Sequence, residues 1–331
     1  MKKISLCNIL YIVFLCMTIS VHGRPKKLAQ TGFKFLSVAS DARGGALSDA
    51  LTTVEAGSAS LFFNPAGMAR MPGHFDATFS QNTWIADIKH NSYSLAFSPS
   101  QGRYGVFGMT LMSVDYGKVL GTMVWGNSQG YVDTEILKPT AWSIGFGYAK
   151  ALSDKFAVGG QIKINKQELG SSFLPEGDSS LTNKQNLAIA TAFDFGTQFR
   201  TGFKSLVFGM SVRNFSNEIK YEKEGFQLPL TFRIGLSMNA LDMFEIENKK
   251  MSCLVTADAV HHRDYPEQFK IGVEYKLFEM FALRAGYVAP ADEQNLSYGF
   301  GVSKFGASID YAYTPFGILG DVKRFTFRIS F

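Results

Sequence analysis

The segment Arg324-Phe325-Thr326-Phe327-Arg328-Ile329-Ser330-Phe331 alternates polar and apolar residues without a break. In an extended chain, successive side chains point to opposite faces, so Phe325, Phe327, Ile329 and Phe331 share one side. A strand in the wall of a membrane barrel needs that pattern, because one face meets acyl chains and the other meets the lumen. The pattern recurs upstream. Phe269, Ile271, Val273, Tyr275 and Leu277 oppose Gln268, Lys270, Gly272, Glu274 and Lys276, and Leu230, Phe232, Ile234, Leu236 and Met238 oppose Thr231, Arg233, Gly235, Ser237 and Asn239.

From His74 onward the sequence predicts 14 strands. They lie near 74–82, 91–98, 103–115, 140–150, 155–168, 186–199, 205–215, 229–241, 251–263, 267–278, 280–289, 295–304, 306–316 and 324–331. The number is even, as single-chain bacterial barrels require, and most candidates reach the roughly 9–11 residues of a tilted spanning strand. A soluble sandwich also alternates. The count of long strands without intervening helices favours one large barrel. Connection lengths point the same way. The segments 116–139, 169–185 and 216–228 are long, whereas Pro99 to Gly102 and Ala151 to Asp154 are tight. Short periplasmic turns alternating with long external loops are the mark of such barrels. Composition agrees: of 331 residues 18% are charged and 32 are glycine, against about 25% charged in average domains.

Residues 1–23 read as a secretory signal peptide, with Lys2 and Lys3 before the apolar run Leu6 to Ile19. That run is too short and too interrupted, by Asn8, to anchor as a helix. Leu15 ahead of Cys16 argues against lipidation. With Cys7 and Cys16 removed, Cys253 is the one cysteine left, so neither a disulfide within the chain nor a zinc spacing is expected. The formal charge of +5 is spread along strands without clustering, which gives no nucleic-acid footprint.

Residues 24–73 lack strand alternation and are expected to fill the barrel as a hatch, with a helix-friendly stretch from Ala42 to Val54. Small polar-face residues fit this: Ser143, Gly145, Gly147 and Ala149 oppose Trp142, Ile144, Phe146 and Tyr148. Such residues either leave room for something packed inside or only let the strands bend. The sharpest motif is Phe62-Phe63-Asn64-Pro65-Ala66-Gly67, in which Asn before Pro favours a turn and Gly67 permits a tight backbone.

The block from Phe33 to Met71, with Phe35-Leu36, Asp41-Ala42-Arg43-Gly44-Gly45 and Leu61 to Ala69, resembles the N-terminal hatch of FadL-type outer-membrane proteins. The terminal Phe331 resembles the assembly signal of outer-membrane barrels. The stretch Ala307 to Gly320, with its Tyr313-Thr314-Pro315-Phe316-Gly317 corner followed by Arg324-Phe325, resembles the PorV/PorQ branch. The resemblance implies an all-β, 14-stranded antiparallel transmembrane β-barrel, residues 74–331, with a short hatch containing helical segments, in the bacterial outer membrane. It also implies a non-enzymatic part in type IX secretion, with secretion-system proteins and the C-terminal domains of cargo as partners beside outer-membrane lipid. The alternative it implies is FadL-like transport of a hydrophobic small molecule. In either case Asn64, Pro65, Ala66 and Gly67 would form the hatch signature, with Phe62 and Phe63 packing it against the wall.

Other chemistry is weak. His261 and His262 are adjacent in a strand and point apart, so they do not chelate one ion. No nucleophile–base spacing suggests an enzyme, and no cofactor or metal site is expected. Lys163, Arg213, Arg233 and Arg284 with Asp194, Glu274 and Asp310 fall on inward positions. They are expected either to pair with one another and with the hatch, because uncompensated buried charge is costly, or to select a polar substrate. Trp84, Trp125, Trp142, Tyr287, Tyr298, Tyr311 and Tyr313 are candidates for interfacial aromatic girdles.

Overall fold

The computed structural model describes residues 31–176, 180–221, 224–244, 250–291 and 294–331. The expected signal peptide, residues 1–23, lies outside the described residues, as does 24–30 of the expected hatch. The fourteen expected strands are present: β1 Phe75–Thr83, β2 Lys89–Phe97, β3 Val106–Asp115, β4 Thr140–Ala151, β5 Phe156–Glu176, β6 Ser180–Arg200 and β7 Val207–Phe215. They continue with β8 Thr231–Asn239, β9 Met251–His262, β10 Gln268–Leu277, β11 Phe281–Ala289, β12 Leu296–Lys304, β13 Ala307–Pro315 and β14 Asp321–Ser330. Each pairs antiparallel with its sequence neighbours, and β14 closes the barrel on β1 with Phe327 opposite Phe79 and Arg324 opposite Asn82.

Period two governs which way each side chain points. Along β11 exposure alternates at every step, with Leu283 and Tyr287 outward and Arg284 and Val288 buried. Outward residues such as Leu236, Phe269, Ile271, Leu283 and Phe300 are 42–61% exposed. A bilayer covers that surface, and each such side chain removed from water contributes about 1.5–3 kcal/mol.

The long connections differ from simple loops. β5 and β6 have 21 residues each, or roughly 70 Å at about 3.3 Å per residue. A tilted span uses only about 9–11 residues, so much of this hairpin stands clear of the barrel. The segment 169–185, expected as a loop, therefore belongs largely to a ladder. Pairing shifts after Glu168 and resumes from Ser171 opposite Gln185. Gly170, at φ 98°, accommodates the shift that gave the sequence its loop-like look. Within 116–139, Val119–Val124 pairs with Tyr131–Leu137, and Leu137 lies over Gly170. In 216–228, Ile219–Lys220 pairs with Gly225–Phe226. The Phe226 ring stacks on Phe33, with centroids 6.2 Å apart, and so covers the start of the inner segment.

Two of the expected girdle residues sit elsewhere. Trp84 turns over the barrel mouth, against Phe316 at 5.0 Å and the Arg324 guanidinium at 5.5 Å. Trp125 lies at the end of the 119–137 hairpin.

Candidate functional site: the segment inside the barrel

Residues 31–72 run through the lumen from the long-loop end to the short-turn end. Thr31 bridges Gln227 at one end, and the Arg70 guanidinium donates to the Asp154 carbonyl at the other, 3.2 Å away. Helical structure here is shorter than the Ala42 to Val54 stretch suggests. The α-helix covers only Ala42–Ala46, with 3-10 turns at Lys34–Ser37, Gly57–Phe62 and Pro65–Met68. Ser48 and Asp49 adopt positive φ of 51° and 66°, and the Asp49 N–H returns to the Gly44 carbonyl at 2.7 Å. That closing bond satisfies a helix-end carbonyl and ends the helix.

The lumen-side glycines are where this segment touches the wall. A Cβ on Gly147 would strike Leu61, one on Gly272 would strike Leu47, and one on Gly299 would strike Ala46. Of the two roles open to these glycines, close approach of the inner segment accounts for their positions.

The Phe62 to Gly67 motif packs against the lumen face of the paired strands β5 and β6. Asn64 is fully buried and caps the Pro65–Met68 turn: its Oδ1 accepts from the Ala66 N–H at 3.1 Å. Its amide donates to the Thr52 carbonyl at 2.6 Å and to the Thr197 carbonyl of β6 at 3.1 Å. Pro65 and Ala66 press on Gly159, and Asn64 and Pro65 press on Gly196. Phe62 reaches the apolar cluster that includes wall residues Met112 and Ala190. Phe63, expected against the wall, instead packs inside the segment with Leu47, Leu51 and Val54, its ring beside Gly44. Phe62 touches this inner cluster as well, so it bridges the segment to the wall while Phe63 stays within the segment. Asn64→Ala removes three hydrogen bonds from a dry site and is expected to cost about 1–3 kcal/mol. Loss of the folded band at lower temperature in semi-native electrophoresis measures it.

On the opposite side the contacts are charged. Asp49 accepts from Lys270 of β10 at 3.2 Å and from Arg233 of β8, which also donates to the Asp49 carbonyl at 2.9 Å. Burial alone would raise the Asp49 carboxyl, but Arg233 and Lys270 outweigh it and hold it below the usual carboxylate range. Arg43 grips Glu274 with two bonds of 2.8 Å. Glu274 also accepts from Arg284 at 2.5 Å, and Arg284 reaches Asp310 at 2.6 Å. Thr52 donates to Asp258 through both its N–H (3.1 Å) and its hydroxyl (2.6 Å). The inward charges expected from sequence thus pair with one another and with the inner segment. Lys163 pairs with Asp194 at 2.7 Å, and Arg213 donates to the Leu36 carbonyl at 3.3 Å.

Sequence reasoning omitted Arg43, Asp49, Asp258 and Lys270 from this network. Asp258 and Lys270 lie on the inward face of their strands, a signal that parity provides. Arg43 and Asp49 sit in a segment with no period to mark them. His261 and His262 point to opposite sides of β9, and the exposed His261 faces Glu267 at 3.3 Å.

Asp41 caps the Ala42–Ala46 helix through the Gly44 N–H at 2.5 Å. Burial pushes its carboxyl up to about 6, and Asp310 adds repulsion, against the pull of the Gly44 N–H, Arg43 and Arg284. Because the folded value lies above the ordinary 3.8, Asp41's favourable contribution is complete below that ordinary value and is lost as pH rises through about 6. Asp41→Asn is therefore expected to stabilise the protein above pH ~7, by on the order of 2–3 kcal/mol, and to change little near pH ~4. Thermal melts at the two pH values check this.

Two recesses flank the inner segment. One, of about 470 Å³ at the long-loop end, is lined by Phe35, Trp84, Tyr116, Tyr265 and Phe316 together with Lys34. The other, of about 510 Å³, opens at the short-turn end.

Residues 60–326 match the model of a protein family described as type IX secretion system membrane protein PorP/SprF. The chain belongs to this PorP/SprF family. No curated protein matches the chain. Among solved structures, the Ralstonia pickettii toluene transporter TbuX superposes with a TM-score of 0.57 at 14% identity, over 87% of this chain and 98% of that one. The Pseudomonas putida toluene transporter TodX gives 0.57 at 13% identity, over 92% and 98%. A Pseudomonas aeruginosa FadL homologue gives 0.57 at 14% identity, over 88% and 98%. At such identities the likeness is one of fold. The PorP/SprF chain is thus a FadL-like barrel of the bacterial outer membrane, in a family of secretion-system membrane components and not of enzymes. The matched family is PorP/SprF, not the PorV/PorQ branch expected from the C-terminal corner.

Proposed function

We propose that this chain serves type IX secretion as a closed barrel that meets protein partners on its projecting hairpins. Residues 24–73 act as the hatch, and Asn64 to Gly67 lock it to β5 and β6. The PorV/PorQ-like role, binding cargo through its C-terminal domain and carrying it onward at the outer membrane, is the finer form of this reading. The observation that carries it is the character of the lumen. The inner segment is held by Asp49, Arg233 and Lys270 and by Arg43, Glu274, Arg284 and Asp310. A hydrophobic solute crossing there would displace paired charges into an apolar path, at a cost of several kcal/mol per ion (~). The hairpins 119–137 and 156–200 supply a surface that a small-molecule channel does not need.

The aromatic recess at the long-loop end favours the second reading, FadL-like uptake of a hydrophobic ligand. Affinity purification from native outer membranes in mild detergent, with mass spectrometry of proteins and lipids, separates the two. Secretion-system proteins or cargo with C-terminal sorting domains are expected. A stoichiometric hydrophobic molecule without a protein partner would move the assignment to uptake.

A further inference from the structure

The recess at the long-loop end, about 470 Å³ in volume, falls within the roughly 300–1,000 Å³ of small-molecule sites. Its walls are aromatic, yet much of its lining is polar and uncharged: the Ser37 hydroxyl, the Tyr116 and Tyr265 phenols, the His90 imidazole and the Gln294 amide all border it. His90 is 5% exposed, and its Nδ1 meets no hydrogen-bond partner among the described residues. A buried polar atom left in that state costs about 1–3 kcal/mol, which a hydroxyl placed beside it would recover. Tyr116 accepts from the Gln167 amide at 3.3 Å, which leaves its own O–H to donate. The Ser37, Tyr265 and Gln294 side chains hydrogen-bond to nothing among the described residues. The charges at the recess are already matched. Lys34 pairs with Asp264, Lys270 pairs with Asp49 at 3.2 Å, and no carboxylate lines the space among the described residues. Lys34 also covers one face of the Tyr265 ring, 4.3 Å from its centroid, and that ring is still 48% exposed.

We propose that this recess binds a short neutral saccharide, with one sugar ring on the open face of Tyr265 and hydroxyls on His90 Nδ1, Gln294 and the Tyr116 phenol. A sugar ring carries both surfaces that the lining asks for. Its C–H groups, slightly positive, suit the negative face of an aromatic ring, and its hydroxyls both donate and accept. A hydrocarbon would leave the polar lining atoms dry and unpaired, at a cost that its apolar contacts must first overcome. An anion would find both ammonium groups already paired. Long loops lie on the external side of such barrels, where two sources of neutral glycan meet the recess: free oligosaccharide and the O-chain of lipopolysaccharide. The site is separate from the hairpins that the secretion reading uses, so either stands if the other fails, whereas it competes with hydrocarbon uptake for the same space.

The test is saturation-transfer NMR on the full chain in lauryldimethylamine oxide, a detergent without a sugar headgroup. The probes are maltose, cellobiose, diacetylchitobiose and the O-chain polysaccharide released from the host's own lipopolysaccharide, with toluene as the hydrocarbon control. Saturable transfer to at least one of the glycans is expected. Transfer to a disaccharide identifies free oligosaccharide as the source, and transfer to the O-chain alone identifies lipopolysaccharide. Tyr265→Ala should weaken the affinity by ~10-fold or more, and His90→Phe, which keeps a ring but removes the unpaired nitrogen, by about 3-fold. Tyr265 is a half-exposed side chain outside the strands, so its variant reads the site even if His90→Phe misfolds. Absence of saturable binding by all four glycans would overturn the proposal, as would an affinity unchanged in the Tyr265→Ala variant. Saturable toluene binding without glycan binding would give the recess to hydrocarbon uptake.

Discussion

Asp49→Ala is expected to free the first half of the inner segment from β8 and β10 and to lower stability by about 3–5 kcal/mol, the cost of leaving buried cations without their counter-ion. Arg233 is 2% exposed and Lys270 9%, so neither can recover hydration without movement of the segment. The loss should exceed that of Asn64→Ala, because hydrogen bonds of neutral groups cost less to break than a buried charge costs to strand. Replacing Arg233 and Lys270 by methionine in the same variant should restore much of the stability, since a buried ionic set exchanged whole for apolar side chains is close to neutral. Denaturant melts of the variants and their combination measure both effects. The wild type should also lose Asp49's contribution as pH falls below the ordinary carboxylate value of 3.8, in keeping with the depressed folded value. An Asp49→Ala variant as stable as the wild type would mean that the ion pairs do not hold the segment.

Gly196→Leu is expected to drive the Asn64–Pro65 turn off the wall. Its side chain would occupy the space of the Asn64 carboxamide and the Pro65 ring. Overpacking of this kind costs about 1–3 kcal/mol, and loss of the Asn64 hydrogen bonds adds a similar amount. The adjacent pair Gly159 and Gly160 provides an internal control. A Cβ on Gly159 meets the Pro65 and Ala66 backbone at 2.5–2.6 Å, whereas one on Gly160 meets its nearest neighbours at 3.5 Å or more. Gly159→Val should therefore behave like Gly196→Leu, while Gly160→Ala stays within about 0.5 kcal/mol of wild type. Planar-bilayer conductance supplies a second readout: the disturbed barrels should pass ions and the Gly160→Ala barrel should not.

The barrel was legible because two-residue periodicity is a local property and fourteen strands repeat it. Phe269 to Leu277 and Leu230 to Asn239 carry the inside–outside assignment in their own sequence. The inner segment has no such period. Its position depends on partners distant in the chain, such as Asp49 with Arg233 and Thr52 with Asp258. Only the expectation that inward charges pair with one another and with the inner segment pointed toward these contacts. Phe62 and Phe63 show a related gap: a motif marks a tight turn but not which of two adjacent rings turns outward. The ladder through 169–185 was hidden because Gly170 and Pro175, ordinarily breakers, sit in a strand pair that carries a register shift. The family's role in secretion came from resemblance at the ends of the chain, and periodicity could not have supplied it.

In the proposed function, protein partners arrive at the projecting hairpins. Photo-crosslinking in native outer membranes, with the reactive group placed at the exposed Leu120 of the 119–137 hairpin and, as a control, at lipid-facing Phe300 of β12, tests it most directly. Adducts to secretion-system proteins or to exported proteins with C-terminal sorting domains from Leu120, and to lipid alone from Phe300, are the predicted result. Lipid or no adducts from both positions, under conditions where secretion is active, would contradict it.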